Sequence, residues 1–202
     1  MVIKPNNSRS YKLSQIGFGL VELMVSISIM VLITSVILVK NNSYNGATLL
    51  RNQAYEIALQ LREVQLLSIS AAEAGSGFRN VYGVHFNTVN NDIYFIFKDT
   101  NVNYYFDASL LPSEKFGKQG SLDSKFVIDA IRLVGSPDTP EQLSITFERP
   151  NFDAKFYRGP LNFVAPAVSG VEIDVRTKGT TGPGSGKIRT VEITRTGQIT
   201  VK

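Results

Sequence analysis

The chain has 202 residues, of which 43% are apolar, so it can bury the core of one sizeable domain with appendages and is not globally disordered. It has no cysteine and a single histidine, which rules out disulfides and thiolate metal sites and argues against histidine-rich metal clusters and the usual catalytic triads. The net charge of +4 is concentrated in residues 1–17, where Lys4, Arg9 and Lys12 stand without an acid. The remainder is nearly neutral, so the basic pI reports a short basic leader rather than a nucleic-acid-binding protein.

Residues 18–39 predict a membrane-spanning helix. The segment has 22 residues and one charge, Glu22, and a helix of that length spans roughly 33 Å. Because lipid satisfies no backbone hydrogen bonds, a helix is the form in which a single segment crosses a bilayer. The basic residues of 1–17 precede it, so the positive-inside rule keeps the leader cytoplasmic and places the rest of the chain on the outer side.

Two simpler interpretations of this segment are an ordinary secretory signal and a plain single-pass anchor. An ordinary signal has a shorter apolar stretch followed by small residues at a cleavage site, whereas here Lys40 follows without an Ala-x-Ala pattern. A plain anchor has the right length but no use for Glu22, since a carboxylate in the membrane costs about 2–3 kcal/mol. Glu22 therefore calls for a positively charged partner.

Cleavage after Gly17 would create that partner. Phe18 would then carry a free ammonium group, and Glu22 would be the fifth residue of the shortened chain, one helical turn away. In a staggered bundle of identical helices, Glu22 of one subunit can meet the N-terminal ammonium of its neighbour. The pairing lowers the cost of burying both charges and sets the axial register, which apolar packing alone would leave loose.

The sequence KLSQIGFGLVE, from Lys12 to Glu22, resembles the precursor signature of type IV pilins and type II secretion pseudopilins. Gly17, Phe18 and Glu22 match that signature position by position, while Gly19 departs from it, because a larger or hydroxyl residue is usual there. The resemblance implies cleavage by a prepilin peptidase after Gly17 and N-methylation of Phe18. It also implies that an assembly platform in the inner membrane extracts the subunit into a filament of pilin-type subunits.

The same resemblance implies a cellular location. Before assembly, the protein is a single-pass inner-membrane protein held by lipid, with its head on the periplasmic side. After assembly, it belongs to a cell-surface or periplasmic filament. The signature is shared by type IV pili and type II secretion pseudopili, so it does not separate them.

Residues 40–74 are predicted to continue the helix as an amphipathic segment. Three asparagines and Gly46 interrupt the apolar pattern at 40–46 and predict a weak point in the helix. Beyond it, apolar and small residues recur at spacings of four and three, which is typical of a helix with one apolar face: Leu50, Ala54, Ile57, Leu61, Val64, Ser68 and Ala71. Gly75 is the expected C-cap. We expect this stripe to pack on the chain's own sheet, with a coiled-coil partner as the alternative.

Residues 75–202 are predicted to form a β-rich globular head. Aromatic residues are concentrated there, which suits pleated, half-buried surfaces, and Leu143, Ile145 and Phe147 alternate with polar residues as one buried face requires. The predicted strands are 81–87, 92–98, 125–134, 142–148, 170–177, 187–194 and 198–201. One long helix followed by strands, without βαβ units, predicts an α+β fold in which an antiparallel sheet packs on the second half of the helix.

Turn residues separate the predicted strands. Asn90-Asn91 predicts a hairpin turn between the first two strands, and Thr196-Gly197 predicts the turn of the last pair. Residues 107–121 and 135–141 are expected to be loops. The glycine-rich segment 179–186 is expected to be a loop as well.

The layout of the head and its closing sequence VEITRTGQITV, residues 191–201, resemble the H-type minor pseudopilins and related minor pilins. This second resemblance implies a structural subunit rather than an enzyme. No cofactor site and no phosphate-binding glycine loop is expected in the chain.

Asp99, Asn101, Asn103 and Asp107 have a spacing similar to that of a calcium-binding loop. Tyr104 takes the sixth position, where an EF-hand needs glycine, and the twelfth position lacks the required glutamate. Asp and Asn also favour plain turns, and we favour that interpretation over a calcium site.

His85 lies in a strand pattern without a second histidine or a cysteine. A hydrogen-bonded structural histidine is therefore expected, rather than a catalytic residue or a metal ligand.

The C-terminal segment 171–202 carries an excess of basic residues, among them Lys187, Arg189 and Arg195. The favoured interpretation is a solvated strand edge on which Lys and Arg discourage edge-to-edge pairing. The alternative is that these three residues contact DNA phosphates, as in some minor pilins that serve DNA uptake.

Overall fold

A computed structural model of the full chain describes residues 19–70, 81–109, 113–147, 152–179 and 188–202, with the backbone alone for residues 39–45. Gly17, Phe18, Gly75 and Lys187 lie outside these ranges. The sequence-based predictions for those four residues therefore remain predictions.

A single helix, α1 (Leu20–Ser70), dominates the first third of the chain. Its backbone stays helical through residues 40–46, where the asparagines and Gly46 predict a weak point. The chain nevertheless divides into two compact units between Ser43 and Tyr44. The first unit contains the apolar segment of α1, and the second contains the rest of α1 together with the strands.

Ten strands follow α1 among the described residues. They are β1 (Val81–Asn87), β2 (Ile93–Asp99), β3 (Gly120–Ser121), β4 (Phe126–Val134), β5 (Gln142–Phe147), β6 (Ala154–Gly159), β7 (Asn162–Phe163), β8 (Gly170–Thr177), β9 (Ile188–Thr194) and β10 (Ile199–Val201). The predicted α+β class with antiparallel strands is confirmed.

The strands form two antiparallel sheets, whereas the sequence predicted one. The larger sheet has the order β3-β2-β1-β5-β6-β7, and the smaller has the order β10-β9-β8-β4. Strands β3, β6 and β7 were not predicted, and the expectation that 107–121 is entirely loop is wrong at β3. The two-residue strands are defined by pairing with a neighbouring strand, as Gly120 of β3 pairs with Tyr94 of β2. No local sequence pattern predicts such pairing.

The core of the head combines strand residues with α1. Leu143, Ile145 and Phe147 of β5 are fully buried, as their alternation predicts. The exposed face that the same alternation predicts is wrong, because the intervening Ser144 and Thr146 are fully buried as well. The α1 stripe contributes Leu50, Ala54, Ile57, Ala58, Leu61 and Val64 to the same buried cluster. Burial of such residues stabilises the head by about 1.5–3 kcal/mol for each large apolar side chain.

Hydrogen bonds also join α1 to the loops around the sheets. The side-chain amide of Gln65, which is buried, donates to the carbonyl oxygens of Phe152 at 2.9 Å and Gly197 at 3.1 Å. Gly197 has a φ of 78°, and an added Cβ would meet the Phe152 oxygen. Glycine is therefore required in the predicted turn between β9 and β10.

Candidate functional site

The apolar segment of α1 is the first candidate site. Residues 20–38 form a helix long and apolar enough to cross a membrane, with a mean hydropathy of 2.4. Each large apolar side chain between Leu20 and Leu38 is between 51% and 74% exposed. A continuous apolar surface of this extent requires lipid or another protein as its environment.

Three of the four hydroxyl groups in residues 20–38 form hydrogen bonds within the helix. Ser26, Ser28 and Thr34 each donate a hydrogen bond to the carbonyl four residues earlier, at 2.7–2.8 Å. Such internal bonds remove the cost of exposing a hydroxyl to lipid. Glu22 is the ionisable side chain that remains among residues 20–38.

Glu22 lies in the first turn of α1, where Leu23 N donates to Gly19 O at 3.1 Å. The first amide groups of a helix have no partner inside it and give the N-terminus a partial positive charge. A carboxylate in this turn is stabilised by typically 0.3–1 kcal/mol, which is less than the cost of placing it in a membrane. In a membrane, Glu22 would therefore still require a cation, and the predicted one, the ammonium of Phe18, lies outside the described residues.

The loop between Asp99 and Asp107 uses its carboxylates to fold itself. Asp99 accepts hydrogen bonds from the backbone amides of Val102, Asn103 and Tyr104. Asp107 accepts from the side-chain amides of Asn101 and Asn103. Within the ranges that the structure covers, no group of three or more His, Cys, Asp or Glu residues is placed to hold a metal ion. The plain-turn interpretation accounts for the spacing of these residues.

Glu114 supports the same loop, and the sequence did not indicate this role. Its side chain is fully buried and accepts hydrogen bonds from the backbone amides of Thr100 and Asp107, at 3.1 and 2.9 Å. The residue stands alone in a segment without periodicity, so the sequence carries no signal for its burial.

His85 lies in β1, and its imidazole ring is buried between the strands and the 99–107 loop. Nδ1 lies 2.9 Å from Ser144 Oγ, which also accepts a hydrogen bond from Phe106 N. The rings of Tyr105 and Phe106 lie 5.2 and 5.3 Å from the imidazole ring. Burial lowers the pKa of His85 from 6.5 to about 4, so the ring is neutral at pH 7, as a structural histidine is.

Cross-strand carboxylates neutralise several cations of the smaller sheet. Arg132 contacts Glu172 and Asp174, at 3.1 and 2.9 Å. Lys202 contacts both Glu172 and Glu192 at 3.0 Å. Arg176 pairs with Asp129 in the same way. The prediction of a strand edge is wrong for Arg189, because β9 lies between β8 and β10 in the smaller sheet. The pairs cross between strands on one face of that sheet.

Arg195, one of the three residues considered for DNA contact, lies against the chain's own backbone. Its guanidinium group donates to the carbonyl oxygens of Val164, Ala165 and Val168. It also lies over the rings of Phe163 and Phe156, at 5.0 and 5.7 Å. Through these three hydrogen bonds, Arg195 anchors the 164–168 loop. Arg189, by contrast, is exposed.

The chain was compared with protein-family models, with curated proteins and with solved structures, and none of the three comparisons finds a match.

The buried histidine predicts a pH-dependent stability. As the pH falls, His85 takes up a proton near pH 4 in the folded state and near pH 6.5 in the unfolded chain. The neutral His85 therefore contributes its full stabilisation above pH 6.5. As the pH drops from 6.5 toward 4, the free energy of unfolding falls by about 3 kcal/mol. We expect urea unfolding of the full chain in detergent micelles to show this loss between pH 7 and pH 4. The variant His85→Asn has no ionisable group at this position, so its free energy of unfolding should fall by about 3 kcal/mol less than that of the unaltered chain over the same pH range. Equal falls in the two proteins would contradict the assignment of His85 as a buried neutral histidine.

The contacts of Arg195 predict that its substitution destabilises the head more than substitution of Arg189 does. Arg195→Lys should lower the free energy of unfolding by about 1–3 kcal/mol, because an ammonium cannot reproduce a fork that reaches three carbonyls. Arg189→Lys, at an exposed position nearby on β9, should change it by no more than about 0.5 kcal/mol. Denaturant titration followed by circular dichroism measures both. Equal effects of the two substitutions would show that Arg195 does not anchor the loop.

Proposed function

We propose that the chain is a structural subunit of a pilin-like filament, of the type IV pilus or type II secretion pseudopilus class. The observation that carries the proposal is Glu22, the one charge in an exposed apolar helix, in the first turn of that helix. A prepilin peptidase cleaves the precursor after Gly17, and Phe18 is then N-methylated. The resulting ammonium is the cation that Glu22 requires.

The energetics of the helix support assembly rather than permanent anchoring. Its apolar side chains can exchange lipid for neighbouring helices at little cost, because both environments are apolar. Glu22 alone distinguishes the two states, since a neighbour's N-terminus offers a cation and lipid does not. The ion pair therefore favours the filament and sets the stagger between subunits.

We further propose that α1 acts as one long helix whose second half holds the head. Leu50, Ile57 and Leu61 are buried in the cluster that also contains the strand residues. In addition, Arg62 donates to Ile199 O at 3.1 Å and Gln53 accepts from Asp123 N at 2.7 Å. These contacts along three turns or more of α1 would make the head follow the position of its helix.

This function defines the location and the partners. The leader faces the cytoplasm and the head faces the periplasm, until an inner-membrane assembly platform moves the subunit from lipid into the filament. The partners are the prepilin peptidase, the platform and other pilin-type subunits. The protein is not an enzyme in this proposal, because its role is completed by packing.

Glu22→Gln tests the proposal, since it keeps the size of the side chain and removes its charge. Cleavage should be unchanged, because Gly17 and Phe18 are intact, and the processed protein should remain in the membrane. We expect its share in sheared filaments to fall at least tenfold, which corresponds to about 1.4 kcal/mol or more. Immunoblots of filament and membrane fractions measure this ratio.

Glu63→Gln is the matched control. Glu63 is an exposed acid on α1 within the second unit, so its substitution should leave incorporation normal. Normal incorporation of Glu22→Gln would remove the basis of the proposal.

A further inference from the structure

We propose that the head carries a binding site for a phosphate-type oxyanion, in a notch between α1 and the end of the smaller sheet. The proposal does not depend on filament assembly. The notch has a volume of about 260 Å³ and is lined by Arg51, Tyr55, Arg189, Val201 and Lys202. All five residues belong to the second compact unit.

The strand register explains why a cation lines this notch. Arg189 alternates with Val191 and Ile193 along β9, and those two residues are fully buried. Arg189 therefore lies on the same side of the sheet as its core residues. It is paired with Val175 on β8 at the point where the apolar surface ends. The notch therefore lies next to the apolar core and is lined there by Arg189.

Two guanidinium groups remain available for a ligand. Neither Arg51 nor Arg189 forms an ion pair with a carboxylate within the part of the chain that the structure describes. Lys202, by contrast, is held at 3.0 Å by both Glu172 and Glu192. The excess positive charge of the notch is therefore contributed by the two arginines.

Tyr55 adds a neutral donor between them. Arg51 Nη2 donates to the Tyr55 hydroxyl at 3.3 Å, and Arg51 Cζ lies 5.4 Å from the centroid of the Tyr55 ring. Because that hydroxyl oxygen is already an acceptor, its own proton is left to donate. The pKa of Tyr55 is lowered, chiefly by Arg51 and to a lesser extent by Arg189, which shows that both cations act on this point.

The arrangement of donors favours a tetrahedral oxyanion. A planar carboxylate is satisfied by the fork of a single guanidinium group. Here the donors come from different elements, Arg51 and Tyr55 from α1 and Arg189 from β9. A phosphate presents oxygens in several directions and carries enough charge for both arginines. The same chemistry is offered by free phosphate and by the phosphate of a lipid headgroup.

Calorimetric titration of the full chain with inorganic phosphate tests the site. The protein is held in zwitterionic detergent micelles, and ionic strength is kept constant with chloride. We expect saturable binding, and an affinity at least tenfold lower for the double variant Arg51→Gln, Arg189→Gln. Circular dichroism of the variant establishes that it is folded.

The matched control is the double variant Lys118→Gln, Lys125→Gln. It makes the same change in net charge at two exposed positions, and its affinity for phosphate should equal that of the unaltered chain. Absence of saturable binding, an unchanged affinity in the arginine variant, or an equal loss in the lysine variant would each overturn the proposal.

A second titration distinguishes the two sources of phosphate. Phosphatidylglycerol is added to the micelles, and the phosphate titration is repeated. Competition that disappears in the arginine variant identifies a lipid headgroup as the ligand. Unchanged phosphate binding identifies free phosphate, and either result requires the notch.

Discussion

The isolation of one carboxylate is the constraint on which the functional account depends. Glu22 lies in the first turn of a helix in which Ser26, Ser28 and Thr34 bond internally and the large apolar side chains of residues 20–38 are exposed. The helix N-terminus offsets part of the cost of its charge, but less than a membrane imposes. A group that is costly when alone and stable when paired makes association selective, because one relative position of two helices supplies the cation. In the proposed filament, apolar contacts would give the helix its affinity for neighbours, and the ion pair would give that contact a register.

Several charged side chains of the head also have partners that satisfy their charge. The carboxylates of Asp99 and Glu114 are buried, and backbone amides satisfy them. Arg195 places its guanidinium group on three carbonyl oxygens and two aromatic rings. The outer face of the smaller sheet pairs Arg132 and Lys202 with acids on neighbouring strands. The two arginines of the notch have no carboxylate partner among the described residues, and their shared position in one recess is the reason for proposing a ligand there.

Much of the fold could be predicted from periodicity. The stripe from Leu50 to Ser68 is buried as its spacing indicates, and β5 and β8 lie where alternating residues indicate buried faces. Strand β6 was missed because its sequence, AKFYRG, combines two cations with a short alternation. The division into two sheets was also missed, because strand order depends on pairing between distant residues and not on any local pattern.

The candidate sites could likewise be predicted from the sequence only where local spacing determines the contacts. The turn that the Asp and Asn spacing from Asp99 to Asp107 favours is present, with both carboxylates accepting hydrogen bonds inside the loop. The role of Arg195 could not be predicted, since a surface cation and a cation folded onto backbone carbonyls have the same sequence pattern. Arg51 and Tyr55 are four residues apart on α1, a spacing that signals contact on a helix, but their approach to Arg189 depends on the tertiary fold.

The N-terminal residue and mass of the mature protein test the central claim most directly. The protein is isolated from cells that contain the prepilin peptidase, and its first peptide is analysed by mass spectrometry. The account predicts a chain that begins at Phe18 and carries a methyl group on its amino nitrogen. A chain that still begins at Met1, or that begins beyond Leu38, would place no ammonium near Glu22 and would contradict the account.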